Sequence, residues 1–360
     1  MLDKLALQEL SASYQLDPHM ESRDNSTIRI SGLHECTRKQ YYRITNHLKG
    51  IPDPPIGSHA RVTFEFGHGV HLMMQKRLSN VGSLKWVDAD PIVEDGAFGW
   101  AGNFEINFFD KDYKLKGHCD ALTRPIKRVK KTIDDKEIEV MEVSDDDDPE
   151  ASRYIIDFKT ITAREKPKPK IDPFTQEIIG VETYPSSFEK LTKPKPEHIM
   201  QASAYAWLMT RDSFNHDKVR LGATTHSTNE KKKEPLKKIP DVMIVYIAKD
   251  LDPKFYERFP GTYPSKDDLL NFPMIAFTEK TNPKTIEKIK DKADKVNGYV
   301  ERGELPPRDY NYTPANRDFN CEYCTYNREC YAKEKYFSKN SIDYPLRLKY
   351  QNKYQLPVLG

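Results

Sequence analysis

Tyr154-Ile155-Ile156-Asp157-Phe158-Lys159 reads as an apolar strand with two charges at its end. Side chains alternate along a strand, so Asp157 and Lys159 share one face while Phe158 enters the core on the other. A carboxylate and an ammonium therefore converge on one spot. Taken alone, Asp-x-Lys is far more often a surface salt bridge, but a second acid stands upstream. Gly117-His118-Cys119-Asp120 ends a predicted hairpin strand, and Asp120 meets Asp157 if the two strands are neighbours. Two close carboxylates repel unless a cation lies between them, which makes a divalent metal site the economical explanation. Oxygen-rich donors suit Mg²⁺ or Mn²⁺.

The flanking segments add groups of the same kind. Gly67-His68-Gly69-Val70-His71 falls on a predicted helix from about Ala60 to Leu78; Gly67 permits close approach and His71 offers an imidazole ligand. His68, one turn away, competes with it for that role. His118 alternates onto the face of Asp120 and is placed to contact a phosphate, although for it and for His198 an ordinary hydrogen-bonded histidine is the simpler expectation. Downstream, Gln201 and Tyr205 are four apart on a predicted helix from His198 to Thr210, hence on one face.

Around this centre the predicted elements are a helix from Glu35 to Leu48 ended by Gly50, a hairpin of Ala101 to Phe109 with Tyr113 to Leu122, a buried strand from Val242 to Ala248 and a helix from Thr285 to Arg302. Two charged insertions interrupt them. Residues 124–152 predict a hairpin extension or mobile loop with a solvated acidic run, Asp145 to Asp148, and residues 164–196 are too rich in Lys and Pro for a helix. The order implies an α/β fold with a mixed sheet flanked by helices. With 360 residues, 37% hydrophobic and 31% charged, the chain builds one large domain with solvated insertions. The 57 Lys and Arg nearly balance the 55 Asp and Glu, so any anion site depends on local clustering. No run approaches the roughly 18 apolar residues of a membrane helix, and the start of the chain lacks secretory-signal character, so the expectation is a cytoplasmic protein with no membrane partner.

With these groups in this order, the sequence resembles the PD-(D/E)XK (restriction-endonuclease-like) nucleases, in particular their RecB-like exonuclease branch. That branch is marked by G-x-x-x-H on a helix, an Asp closing a strand, (D/E)-x-K, and Q-x-x-x-Y on the next helix. Here these are Gly67 to His71, Asp120, Asp157 with Lys159, and Gln201 with Tyr205. The resemblance spans roughly Leu33 to Cys330. It implies metal ligation by His71, Asp120, Asp157 and the Phe158 carbonyl, and a catalytic group of Asp120, Asp157, Lys159, Gln201 and Tyr205. Lys159 would orient the attacking water, while Gln201 and Tyr205 would position the strand and the lysine. Many relatives with a cysteine cluster carry Glu where Asp157 stands.

Four of the five cysteines form a second pattern. Cys321, Cys324 and Cys330, spaced C-x2-C-x5-C, supply three soft ligands and leave the coordination one short. Cys119, next to Asp120, reads as a buried thiol, and Cys36 remains. The segment Leu33-His34-Glu35-Cys36-Thr37-Arg38-Lys39-Gln40-Tyr41-Tyr42 resembles the first-cysteine segment of relatives with a [4Fe-4S] cluster, the AddB nuclease domain and the CRISPR-associated exonucleases. The resemblance implies a cluster on Cys36, Cys321, Cys324 and Cys330 that staples the two ends of the domain. Closing so long a loop stabilises a fold by about 5 kcal/mol in the chain-entropy model. Spacing alone leaves Zn²⁺ on the same thiolates as the alternative.

The expected organisation is an N-terminal extension over 1–30, a single nuclease domain over 31–335 including the cluster region, and a tail over 336–360. The expected activity is metal-dependent hydrolysis of DNA, with single-stranded ends preferred, in recombination, repair or replication. Arg38, Lys39, Arg43, the lysines of 166–170 and the basic 231–238 loop are candidate strand contacts; Tyr41 and Tyr42 are candidates for base stacking. A helicase or a recombination or replication protein is the expected partner. Two rivals stand beside this expectation: a DNA-binding or assembly subunit in which cleavage is absent or subordinate, and an endonuclease.

Overall fold

The computed structural model describes residues 25–51, 67, 69–71, 73–74, 106–133, 136–145, 147–161, 166–171, 178–184, 191–211, 218–221, 224–227, 235–248, 274–310, 318–322 and 324–331. The fold is mixed α/β. Its centre is a four-stranded sheet ordered β13-β12-β7-β4, formed by β4 (Ala121–Leu122), β7 (Tyr154–Ile161), β12 (Asp241–Ala248) and β13 (Met274–Glu279). β7 and β12 run parallel, and β4 and β13 pair antiparallel to them. The apolar run 242–248 is buried throughout because β12 is interior and covered on both faces.

Alternation sorts the two faces. Ile155 and Ile161 of β7, with Val242, Ile244 and Tyr246 of β12, pack into the core that holds helix α2 (Pro196–Leu208). Ile156, Phe158, Met243, Val245 and Ile247 form a second core on the opposite face, closed by Val70, Met73 and Met74 from helical residues near 67–74. Two layers of helix therefore enclose the sheet, as its two apolar faces require.

A smaller sheet joins β1 (Ile28–Arg29), β3 (Leu115–Cys119) and β2 (Ile106–Asp110) in the order β1-β3-β2. β3 leaves this sheet at Asp120 and enters the central one as β4, so Asp120 stands at the junction. A 3-10 turn (Ile30–Gly32) leads into helix α1 (Thr37–Leu48), and helix α3 (Pro283–Arg302) packs on both α1 and α2. Asn282 caps α3 through Lys284 N–H, and Gly303 at φ 66° ends it.

Sequence expectations and structure differ mainly in the insertions. The charged stretch after β4 is a hairpin of β5 (Ile126–Ile133) and β6 (Lys136–Val143), and Asp148 of the acidic run is bound by Lys127, Ser144 and Glu150 N–H rather than simply solvated. The Lys/Pro-rich stretch contains a second ribbon, β8 (Lys166–Ile171) with β9 (Ile178–Tyr184). A two-stranded ribbon has only edge strands, so Pro167 and Pro169 are tolerated there. A third ribbon, β10 (Lys218–Leu221) with β11 (Thr224–Ser227), and β13 had no counterpart in the sequence reading. The first predicted hairpin strand is seen as Ile106–Asp110; its residues 101–105, the extensions over 1–24 and 332–360, and His68 lie outside the described residues. Among the described residues, no helix is long and apolar enough to cross a membrane.

Helix α1 begins on Cys36, whose side chain caps nothing. Asp309 supplies the cap from 272 positions away: its Oδ2 accepts from Thr37 N–H at 2.7 Å and from Thr37 Oγ1 at 2.8 Å. Lys292 of α3 reaches the same oxygen at 3.2 Å and Thr37 Oγ1 at 2.8 Å. Burial opposes ionisation of Asp309, but the Thr37 bonds and the Lys292 charge outweigh it and hold the carboxyl below its usual range. Such a group stabilises the fold above the ordinary carboxylate range and ceases to do so as pH falls through its folded-state value. Asp309→Ala is expected to cost about 1–3 kcal/mol at pH 7. In urea titrations, variant and wild type should converge below pH ~4; an undiminished difference there would assign the loss to packing.

Candidate active site

Residues from four separate segments gather at the middle of β7. Lys159 Nζ donates to Asp157 Oδ1 at 3.0 Å and to Gln201 Oε1 of α2 at 3.1 Å. Gln201 Nε2 in turn donates to Tyr205 OH at 3.3 Å, one turn along the same face of α2. Tyr205 is buried and stacks on Phe108 of β2, with centroids 5.5 Å apart. On the other side, Asp120 Oδ2 accepts Phe158 N–H at 2.7 Å, taking the backbone donor just past the last β4–β7 ladder pair. Asp120 Oδ1 lies 3.1 Å from His71 Nδ1, and the imidazole meets the Phe158 ring edge-on at 5.9 Å.

Electrostatics single out Asp157. It is 2% exposed, and burial, reinforced by the Asp120 charge and opposed by Lys159, raises its pKa to about 6. Its Oδ2 is 2.9 Å from Lys159 Nζ but accepts no hydrogen bond. Burial opposes protonation of His71, while the bond to Asp120 and its charge win and raise the pKa above the ordinary imidazole value.

A buried carboxylate beside a second acid and an imidazole is, by its chemistry, a donor set that suits a hard divalent cation. The side chains as they stand pair with one another instead: among the described residues, no three His, Cys, Asp or Glu groups gather tightly enough to hold one metal ion. His71 and Asp120 are in contact, Asp157 faces Lys159, and metal binding at these groups would require the carboxylates to turn. Gly67 is near Thr160, yet a Cβ there would stand 3.8 Å from Thr160 Oγ1, an ordinary contact, so the close approach read from the sequence does not require glycine.

The cysteines other than Cys119 are brought together. Cys36, at the start of α1, Cys321 in α4 (Phe319–Glu322), Cys324, and Cys330 at the end of α5 (Asn327–Cys330) line one cavity with Arg38, Tyr42, Arg308, Tyr326 and Tyr331. Burial pushes the thiols of Cys321 and Cys324 up to about 11. Arg38 Nη1 lies 3.6 Å from Cys330 Sγ while its Nε donates to Pro306 O at 2.7 Å, and Arg308 holds the Cys330 carbonyl at 2.6 Å. The four thiols share the cavity, but as the side chains stand no three of them gather tightly enough to hold one ion; their chemistry suits a cluster and zinc equally. Cys119 is fully buried in the main core, as its place in the sequence implied.

Several expected DNA contacts have internal partners. Lys39 and Arg43 both pair with Glu35, at 2.6 and 2.7 Å, and Arg38 is held by the cysteine cavity. Tyr41 is buried and Tyr42 stacks on Tyr326 at 5.6 Å, so both tyrosines pack internally. Lys237 and Lys238 are exposed; the side chains of 166–170 and 231–233 lie outside the described residues. Sequence reasoning missed Gly117, where a Cβ would press on both Ile30 and Tyr205 Cε1 at 3.1 Å, and Tyr246, the cross-strand partner of Lys159. The motif glycine signal pointed to Gly67, whereas the tight contact is at Gly117.

No protein-family model matches the chain, and no curated protein does. A solved structure entitled "Crystal structure of SSO0001" is similar over 91% of this chain and 96% of that one, at 13% identity and a TM-score of 0.35. At that score the likeness assigns no fold.

The raised pKa of Asp157 has a definite sign. A carboxyl that titrates higher when folded takes up a proton on folding, so stability falls as pH rises from the ordinary value of 3.8 to about 6. Asp157→Asn should remove that slope and, in metal-free buffer at pH 7, unfold at higher denaturant than wild type. Equal pH profiles for the two proteins would mean that Asp157 ionises in the fold without penalty.

Proposed function

We propose that the chain is a metal-dependent deoxyribonuclease with a PD-(D/E)XK core of the RecB-like branch, an exonuclease acting preferentially on single-stranded DNA ends in recombination, repair or replication. The observation that carries this reading is the chain of contacts from Asp157 through Lys159 and Gln201 to Tyr205, beside the His71–Asp120 pair, all around the middle of β7. A divalent Mg²⁺ or Mn²⁺, when bound, supplies a Lewis acid and lowers the pKa of a coordinated water; His71, Asp120, Asp157 and the Phe158 carbonyl are the groups that would hold it. Lys159 presents its ammonium where charge develops on the phosphate and orients the attacking water. Gln201 fixes the ammonium, Tyr205 fixes Gln201, and Phe158 N–H fixes Asp120. Preorganised donors of this kind need no rearrangement as charge builds. In-line attack of water would leave a 3′-hydroxyl and a 5′-phosphate.

Cys36, Cys321, Cys324 and Cys330 are assigned to a structural [4Fe-4S] cluster, with Zn²⁺ as the alternative occupant, because four thiols from both ends of the domain share one cavity. A rival reading, a DNA-binding or assembly subunit working with a helicase or recombination protein, draws on the engagement of Asp120 by His71 and Phe158 rather than by an open ligand position.

Purified protein with Mn²⁺ or Mg²⁺ should degrade linear single-stranded DNA and spare circles, and Asp157→Ala and Lys159→Ala should each slow it by about 10²–10³-fold. Linear DNA left intact by a wild type indistinguishable from Asp157→Ala would favour the subunit reading; cut circles would make the enzyme an endonuclease. Anaerobic purification should give a brown protein whose broad charge-transfer absorption is lost in Cys330→Ala. A colourless protein with stoichiometric zinc would replace iron by zinc.

A further inference from the structure

His198 has no task in the nuclease chemistry above, yet it stands on the working face of α2. Positions 198, 201 and 205 fall on one side of that helix, and Gln201 is the contact to Lys159. Lys159 is the cross-strand partner of Tyr246 in the parallel β7–β12 ladder, and parallel partners project to the same side of the sheet. His198 Nδ1 lies 2.8 Å from Tyr246 OH, so the imidazole is next to Lys159 along both the helix and the sheet.

The hydrogen bonds favour one tautomer. Tyr246 OH already accepts Lys195 N–H at 2.9 Å, and with His198 Nδ1, at 2.8 Å, as acceptor of its own proton every group is satisfied. A neutral ring acceptor at Nδ1 carries its proton on Nε2. No described residue accepts from Nε2, and the ring is half-buried, with part of its surface open. Burial, then the charges of Lys159, Lys195 and His34, push the imidazole down to about 3, so it remains a neutral donor across the working pH range.

We propose that His198 is a substrate-binding residue whose Nε2–H donates to a non-bridging phosphate oxygen of the bound strand, beside the phosphate addressed by Lys159. The inference rests on the nuclease reading and deepens it. A second, uncharged donor would hold the strand in register without competing with Lys159 for Asp157.

The test compares His198→Leu, His198→Gln and Tyr246→Phe with wild type. The measurements are affinity for a labelled single-stranded oligonucleotide with Ca²⁺ replacing Mn²⁺, KM and kcat with Mn²⁺, and urea unfolding. His198→Leu should weaken affinity and raise KM by about tenfold, with kcat nearly unchanged. His198→Gln, which restores a neutral donor, should recover most of that loss, and Tyr246→Phe should give an intermediate value by freeing the tautomer. Unchanged affinity and KM in His198→Leu, or equal losses in the Gln and Leu variants that follow stability, would overturn the proposal. A wild type that binds but does not cut would retire the nuclease reading while the affinity comparison still decides the role of His198; a wild type that does not bind DNA would overturn both.

Discussion

A carboxylate that is 2% exposed, with a single ammonium as its charged partner in contact, is the constraint around which the molecule is organised. Burying Asp157 is unfavourable, and Lys159 only partly offsets it, since the net shift still disfavours the charge. A hydrophobic residue in its place would give a better strand. The parallel register of β7 with β12 nonetheless holds Asp157 and Lys159 on the α2 face, and α2 carries Gln201 to meet them. Local destabilisation is thus built into the most covered part of the sheet. Strain of this kind belongs to sites where the charge has a use.

The cysteine cavity shows the converse arrangement, in which weak local structure is held by distant contacts. Helix α1 starts on a residue that cannot cap it, and α4 and α5 are each a single turn. A four-residue helix has no stability of its own. These pieces are fixed by Asp309, Arg38 and Arg308, each joining segments far apart in sequence or bracing Cys330. A polyvalent ligand on the four sulfurs would add a constraint of the same sort, joining residue 36 to residues 321–330.

The legible part of the sequence was the part governed by local periodicity. The strand at 154–161, the buried strand at 241–248, and the helices at 37–48, 196–208 and 283–302 follow from alternation or from the 3.6-residue repeat, and their ends shifted by at most about two residues. The adjacency of Asp120 and β7 could be argued because two acids and a lysine have few other reasons to sit at strand ends. Alternating lysine and proline carry no apolar periodicity, so β8, Lys-Pro-Lys-Pro-Lys-Ile, left no such signal. Asp309, Gly117 and Tyr246 were invisible for another reason: each acts through a partner fixed only by tertiary register, and no spacing along the chain encodes that. Tyr42 stacks on Tyr326, the internal packing that is the commoner fate of such a residue.

The start of α1 is connected to the polar cluster of β7 through polar contacts and close packing. Glu35, Arg43 and Gln40 bind one another, and Gln40 reaches the Gly32 carbonyl, locking the 3-10 turn to α1. Ile30 in that turn presses on Gly117, whose missing side chain leaves room for Tyr205, and Tyr205 supports Gln201 under the ammonium of Lys159. Side chains in a close-packed interior have little room to shift independently. A displacement at the start of α1, beside Cys36, would therefore be felt along this contiguous path as a change in where Lys159 is held. The cysteine cavity and the polar cluster on β7 are, on this geometry, joined by one contiguous path of packed side chains that starts where Asp309 and Lys292 clamp the first turn of α1.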